Sequence, residues 1–312
     1  MKRFFRVLVI FVFAAPCPVL QAQQNKIGDQ DLLQLKQYED TIKWLGNTIV
    51  QNTDWQMRES ASAKIIPTLV KALKIKNSYY YPFDSLVTIR VIKPSDDAFR
   101  IFTWQLTMKD HSYRYYGAIQ MHDEELKLFP MIDMSLFIPH AEDTVLDNNN
   151  WIGSIYYHIE PWKNKKEKYY LLFGWDGNDQ FSNKKIADVL WFDENGKPKF
   201  GKPIFQIDEK ETRTRVIIEY KEDANPTMNF DENLEMIVFD YMRPENPLSE
   251  GIYSTYIPDG TYQGFRFEDG VWKLQRVVFD QKLDVAPLYT PKYEGEDPAQ
   301  YIKKKEATKD NH

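Results

Sequence analysis

Residues 265–279 read FRFEDGVWKLQRVVF, two apolar-rich stretches joined by Asp269-Gly270. A type I′ turn needs positive φ at both central residues, which Asp-Gly and Asn-Gly sequences tolerate, so this pattern is typical of a tight β-hairpin. Residues 187–205, ADVLWFDENGKPKFGKPIF, repeat the arrangement around Asn195-Gly196. The two stretches predict antiparallel β-sheet in the second half of the chain.

The β pattern extends back to about residue 79. Residues 99–108 alternate apolar and polar side chains, end at Lys109-Asp110, and are followed by 113–121 as the return strand. Segments 141–150 and 242–251 are predicted to be exposed loops. Short turns separate the strands, so we expect mostly antiparallel pairing. The other predicted strands cover 86–92, 152–159, 168–174, 186–192, 203–207, 214–220, 235–241, 262–267 and 271–279.

The stretch before residue 79 has helical periodicity instead. We predict a hairpin of two helices, 29–52 and about 54–76, with Asp29 as the first cap and Thr53 or Asp54 as the second. Pro67 marks a kink or a helix start. The hairpin either covers one face of the sheet, which we favour, or serves as an arm that docks a partner. Its first apolar face is formed by Leu32, Leu35, Tyr38, Ile42, Leu45 and Ile49.

These patterns predict an α+β fold. A helical hairpin segment, 23–78, precedes a large antiparallel β body, 79–290, which forms a sandwich or a partly closed meander. Residues 291–312 are polar and charged, a composition typical of a disordered tail.

Residues 1–22, MKRFFRVLVIFVFAAPCPVLQA, are predicted to be a secretory signal peptide. Three basic residues precede an apolar run, 7–15, that is too short to span a membrane as a stable anchor. Residues 20–22 offer a cleavage site after Ala22, although Leu20 is larger than the residue usually preferred there. We therefore expect a periplasmic or secreted protein, with no transmembrane span in the mature chain.

The single cysteine, Cys17, lies in this segment. Lipid attachment at Cys17 is the alternative to cleavage after Ala22, but Pro16 and Pro18 are poor neighbours for that processing. Cleavage leaves a mature chain without cysteine, which excludes disulfides, zinc-thiolate sites and cysteine nucleophiles.

The charge balance and the absence of catalytic motifs narrow the function. Removal of 1–22 takes away three basic residues and no acidic one, so the formal net charge falls from −6 to −9. Such a balance argues against nucleic-acid binding, which needs clustered basic residues. The sequence contains no paired histidine metal motif, nucleophile elbow or phosphate-binding glycine loop. We favour a non-enzymatic protein that binds an envelope protein or a glycan. The alternative is a glycan hydrolase whose carboxylates meet only in the fold.

The candidate ligand-binding residues are Trp175, Asp176, Asn178 and Asp179, which follow an apolar strand. Trp175 offers a flat contact surface for a ligand. The oxygens of Asp176 and Asp179 are ligands that Ca²⁺ prefers, although the spacing is not that of an EF-hand. A polar β-turn without a ligand is the alternative. No other cofactor is expected.

Several stretches resemble a group of exported proteins of Bacteroidetes-type bacteria that has no established activity. The resemblance covers roughly residues 80–280 and implies a Gram-negative source. It carries over no site residue. The stretches are YPFDSL at 81–86, FRIFTWQ at 99–105, YRYYGAIQ at 113–120, KYYLLFGWDGND at 168–179, KIADVLWF at 185–192, MIVFDYM at 236–242 and PDGTYQGFRFEDGVWKL at 258–274.

Overall fold

The computed structural model describes residues 26–164 and 167–279. The predicted signal peptide, 1–22, and the predicted polar tail, 291–312, lie outside these ranges. Among the helices of the described residues, none has the length and apolar character needed to cross a membrane.

The helical hairpin is present as predicted and consists of α1 (Asp29–Gln51) and α2 (Trp55–Leu73). Gly28, not Asp29, is the N-cap of α1, and Asp29 lies in the first turn. Acidic residues there interact favourably with the positive end of the helix dipole.

The second helix begins as the sequence indicates. The Asp54 carboxylate caps α2 by accepting a hydrogen bond of 2.9 Å from the Gln56 N–H. Pro67 lies inside α2, which continues past it to Leu73, so Pro67 does not start a helix. The missing N–H of proline is tolerated because Ile65 and Leu69, on either side of it, are buried in the core.

The β body contains sixteen strands in the described residues, arranged as three sheets. The first sheet has the order β1-β2-β3-β4, with β1 (Arg90–Ile92), β2 (Phe99–Thr107), β3 (Tyr113–Met121) and β4 (Leu128–Ile132). The second has the order β5-β9-β8-β7-β6 with β12 also on β8, and comprises β5 (Leu146–Asp147), β6 (Ile155–Lys163), β7 (Lys168–Asp176), β8 (Ser182–Phe192), β9 (Pro198–Phe200) and β12 (Val216–Lys221). The third has the order β11-β10-β16-β15-β14-β13, with β10 (Phe205–Gln206), β11 (Thr212–Arg213), β13 (Met228–Asp231), β14 (Met236–Pro244), β15 (Tyr256–Glu268) and β16 (Val271–Phe279).

Three apolar cores separate four layers. The helical hairpin packs on one face of the first sheet, and Phe102 of β2 lies in that core. The opposite face of β2 carries Phe99, which packs toward Tyr170 and Leu172 of the second sheet. The other face of the second sheet, including Phe173, packs on the third sheet. The two inner sheets are apolar on both faces because successive strand residues point in opposite directions.

The sequence prediction missed several short strands. It did not include β4, β5, β11 or β13, and the predicted loop 141–150 contains β5 with its buried Leu146. The predicted loop 242–251 is wrong at its start, because β14 continues to Pro244. The pair β10–β16 is parallel within an otherwise antiparallel third sheet. Short edge strands carry too few residues for a period-2 pattern to be visible.

The two predicted turns differ. Asp269 and Gly270 have φ of 54° and 89°, as the predicted type I′ turn requires. Around the other turn only Gly196 has a positive φ, 70°, and its N–H donates to Asp193 O over 2.8 Å. The Asn195-Gly196 connection is therefore a type I turn followed by a left-handed glycine, and the type I′ prediction for it is wrong.

The predicted strand 86–92 is paired only over Arg90–Ile92. Residues 86–89 instead bend toward α1, where Glu39 accepts the Ser85 N–H over 2.8 Å and Gly46 lies against Thr88. Leu86 and Ile89 are buried in the core beneath the helices. Packing against α1 outweighs continuation of the β1–β2 ladder, and within the described residues part of the β2 edge has no partner strand.

Candidate ligand-binding site

The departure of residues 86–89 from β2 creates a cleft, which we call the edge cleft. It has a volume of about 640 Å³, within the range of roughly 300–1,000 Å³ of small-ligand sites. The segment 82–91 forms one rim, and Ile49 of α1 and Ile65 of α2 form the helical wall. Thr103, Trp104 and Gln105 of β2 line it as well.

The hydrogen-bond pattern of β2 shows which main-chain groups face the edge cleft. The Met108 N–H donates to Ser112 O over 2.8 Å, and the His122 N–H donates to Ala98 O over 3.0 Å. The even-numbered residues of β2 therefore bond to β3, because bonded and non-bonded pairs alternate in an antiparallel ladder. The N–H and C=O groups of the odd-numbered residues therefore point away from β3, toward the edge of β2 that pairs with β1.

On the edge that pairs with β1, the hydrogen-bonded ladder covers only part of β2. Arg90, the first residue of β1, pairs with Thr103. In the described residues no strand continues this pairing along Gln105 and Thr107. Their main-chain donors and acceptors form an open strand edge, a surface that another extended chain pairs with readily.

Three consecutive residues at this edge also carry buried polar atoms without a partner. The hydroxyl of Thr103, the indole N–H of Trp104 and the side-chain carbonyl of Gln105 make no hydrogen bond within the described part of the chain. Thr103 is 1% exposed and Trp104 is 4% exposed. A buried polar group without a partner costs about 1–3 kcal/mol, so a bond to a ligand or to water would stabilise each of these three groups.

Apolar side chains line the edge cleft on both sides of the first sheet, next to polar ones that include Asp84, Thr88 and Arg90. Trp104 lines the helical side of the cleft, as do Ile49 of α1 and Ile65 of α2. Its ring stacks on Tyr116 at a centroid distance of 5.5 Å. Ile155 and Trp175 of the second sheet line the opposite side. The arrangement suits a ligand with apolar groups on two faces and hydrogen-bonding groups along its middle.

Trp175, predicted as a ligand contact, is half-buried and lines the edge cleft. Asp176 and Asn178 line a different pocket of about 350 Å³, together with Asp133 and Lys184. The structure therefore places the predicted residues around two cavities. Both cavities border β3, since the Trp175 ring lies 6.3 Å from the Tyr113 ring and Tyr113 also lines the pocket of Asp176.

In the second pocket, which we call the Asp176 pocket, the lining residues hydrogen-bond to one another. The Asp176 carboxylate accepts the Asn178 N–H over 2.8 Å, and the Lys184 ammonium donates to the Asn178 side-chain carbonyl over 2.6 Å. Asn178 has φ of 46°. Burial raises the pKa of Asp176, while the Asn178 N–H, Lys184 and the Tyr115 hydroxyl act in the opposite direction.

Asp179 caps the turn that follows. Its carboxylate accepts the N–H groups of Phe181 and Ser182 over 2.7 and 3.0 Å, as in the polar β-turn alternative. Across residues 26–164 and 167–279 there is no cluster of three or more histidine, cysteine, aspartate or glutamate side chains placed to hold a metal ion.

Sequence reasoning did not identify Thr103, Trp104 or Gln105. They lie in a strand with ordinary alternation of apolar and polar residues. Nothing in the sequence indicates that residues 86–89 do not pair with this strand. A scan against protein-family models finds no match to this chain, and a search of curated proteins finds none either.

Proposed function

We propose that the protein is a non-enzymatic binding protein of the cell envelope whose ligand, a protein segment or a glycan, occupies the edge cleft. The observation that carries the proposal is the run of unpartnered polar atoms at Thr103, Trp104 and Gln105. A ligand that bonds to them removes their desolvation penalty.

The location in the envelope is supported by two features of the sequence. One is the predicted signal peptide, 1–22, with cleavage after Ala22, and the other is the resemblance to exported proteins of Bacteroidetes-type bacteria. Sequencing the N-terminus of the protein secreted by a Gram-negative host tests the location. We expect Gln23 as the first residue, and an uncleaved chain would contradict the proposal.

Binding is tested with two defined sets of probes, short linear peptides displayed on phage and a panel of neutral, amino and acidic oligosaccharides. We expect one class to bind, and Thr103→Val to weaken that binding by about tenfold, the effect of one lost hydrogen bond. Thr212→Val makes the same chemical change at an exposed site in the third sheet and should leave affinity unchanged. Equal affinity of wild type and Thr103→Val, or no binding by either class, refutes the assignment.

A glycan hydrolase is the second candidate, because Asp133 and Asp176 line one pocket and burial raises the pKa of Asp176, as a general acid requires. Binding is favoured over hydrolysis because the Asp133 carboxylate already accepts the Tyr115 N–H over 2.9 Å and the Ser135 hydroxyl over 2.6 Å. Release of reducing ends from the oligosaccharide panel, abolished by Asp176→Asn, would favour the hydrolase.

Calcium binding by Asp176 and Asp179 stays a proposal that a separate measurement decides. If the loop binds Ca²⁺, added calcium raises the melting temperature, EDTA lowers it, and Asp179→Asn abolishes both shifts. A melting temperature that neither reagent changes refutes the calcium site.

A further inference from the structure

We propose that the ligand of the edge cleft is an extended peptide segment that adds to β2 as an extra strand in line with β1. This inference rests on the proposed function and narrows it from two ligand classes to one. Its basis is the main chain of Gln105 and Thr107 on the β1 side of β2, beyond the point where β1 ends, with Gln105 lining the cleft.

The hydrogen-bonding groups of the open edge match a peptide. Gln105 and Thr107 present an N–H and a C=O each, at the two-residue repeat of a β-strand. A peptide in extended conformation offers the complementary groups at the same repeat, whereas a glycan has no such regular alternation. Strand addition to an exposed sheet edge is a general mode of peptide recognition.

The space beside β2 is the space that the chain's own strand vacates. If β1 continued toward its N-terminal side, residues 86–89 would pair with positions 104–107 of β2 in the same register. They bend to α1 instead, and the edge cleft lies beside residues 103–105 at the start of the vacated edge. A guest strand therefore finds an edge of the length of about four residues, roughly 13 Å at 3.3 Å per residue.

The walls of the cleft define the side chains that the guest carries. In an added strand, alternate side chains face the helices and the second sheet. One set of guest side chains would contact Ile49, Ile65 and Trp104. The other set would contact Ile155 and Trp175. The preferred peptide is therefore apolar on both faces over its central residues, and its affinity comes from main-chain bonds as well as from apolar burial.

Backbone N-methylation of selected peptides tests the proposal. Linear peptides are selected on the wild-type protein by phage display, and each central amide of the best binder is then methylated in turn. We expect a two-residue pattern, in which alternate methyl groups reduce affinity by about tenfold or more while the intervening ones have little effect. Loss at every position, or at none, would overturn the strand-addition mode.

Thr103→Val separates this inference from the proposed function. If peptides bind and Thr103→Val weakens them, but methylation shows no alternation, the cleft is a binding site and strand addition is wrong. If only oligosaccharides bind in a Thr103-dependent manner, the binding function stands and the peptide assignment fails. If peptides bind wild type and Thr103→Val with equal affinity, both the proposed function and the strand-addition mode are refuted.

Discussion

Gly46 of α1 and Thr88 of the segment before β1 lie so close that a β-carbon at position 46 would overlap the Thr88 hydroxyl. This contact holds residues 86–89 on the helical hairpin and away from β2. Glu39 contributes from the same helix by accepting hydrogen bonds from the Tyr81 hydroxyl and the Ser85 N–H. The edge cleft therefore depends on how closely α1 approaches this segment.

Gly46→Ala should destabilise the protein by about 1–3 kcal/mol, because the added methyl group overpacks the contact with Thr88. The free energy of unfolding is measured by urea denaturation. Lys43→Ala, an exposed change on the same helix, serves as the control and should stay within about 0.5 kcal/mol. Thr88→Ala should restore part of the loss in the double variant. Full stability of Gly46→Ala alone would contradict the close packing.

Thr103→Val should leave the ligand-free protein as stable as wild type or more stable, because it replaces an unpartnered buried hydroxyl with a methyl group of similar shape. Thr214→Val is the matched control. Thr214 is equally buried, but its hydroxyl donates to Glu142 O over 2.8 Å, so its loss should cost about 1 kcal/mol. Melting curves of both variants decide the matter, and a clear loss of stability in Thr103→Val contradicts the assignment of an unpartnered group.

Asp176→Asn should change how stability depends on pH. Burial raises the pKa of Asp176, so above the unfolded value of about 3.9 the folded state holds more protons than the unfolded state. This carboxyl therefore lowers stability as the pH rises from its unfolded pKa through its folded pKa, and the loss is constant above that. Asp176→Asn removes the effect and keeps an acceptor for the Asn178 N–H, so its stability relative to wild type should increase from acid to neutral pH.

Asp193→Asn provides a control of opposite sign. Hydrogen bonds from the N–H groups of Lys197 and Asn195 lower the pKa of Asp193. This carboxylate stabilises the fold above its unfolded pKa, and the benefit is lost as the pH falls. Asp193→Asn should therefore be less stable than wild type at neutral pH, with the difference vanishing in acid. Parallel pH profiles for both variants would contradict the assignment for Asp176.

Arg215 and Asp188 form a fully buried ion pair, with Nε and Oδ1 3.1 Å apart. Arg215→Met should destabilise the protein by about 3–5 kcal/mol, because it leaves the Asp188 carboxylate buried without its cation. Asp188→Leu added to it should recover much of that loss. The surface pair of Lys221 and Glu245 is the control, and Lys221→Ala should reduce stability far less than Arg215→Met does. Chemical denaturation measures all three variants, and a small effect of Arg215→Met would show that the buried pair is not needed.

The long elements could be predicted because their signals are local. The helical periodicity before residue 79 and the alternation in 99–108 and 113–121 correspond to α1, α2, β2 and β3. Asp54 as a cap and the Asp269-Gly270 turn were also predictable, since each depends on a few neighbouring residues. Edge strands such as β5 and β13 were missed because they are too short to show an alternating pattern, and β5 also pairs with a strand distant in sequence.

The candidate site could be predicted only in part. Trp175 and Asp176 are adjacent in sequence, yet they line different cavities, and only the packing of the end of β7 against its neighbours decides this. Thr103 and Gln105 look like ordinary strand residues. Their importance comes from what is missing beside them, and that depends on contacts of α1 with Ser85 and Thr88.

The sequence by itself determined the class of fold, a helical hairpin followed by a β-rich body, because hydrophobic periodicity and turn residues act over short distances. Only the tertiary structure decided that three sheets stack in layers and that the strand predicted over 86–92 pairs for three residues. The physical reason is a competition that no local pattern records. Burial of Leu86 and Ile89 beneath α1 outweighs the hydrogen bonds that the same residues would make along β2, and the edge cleft results.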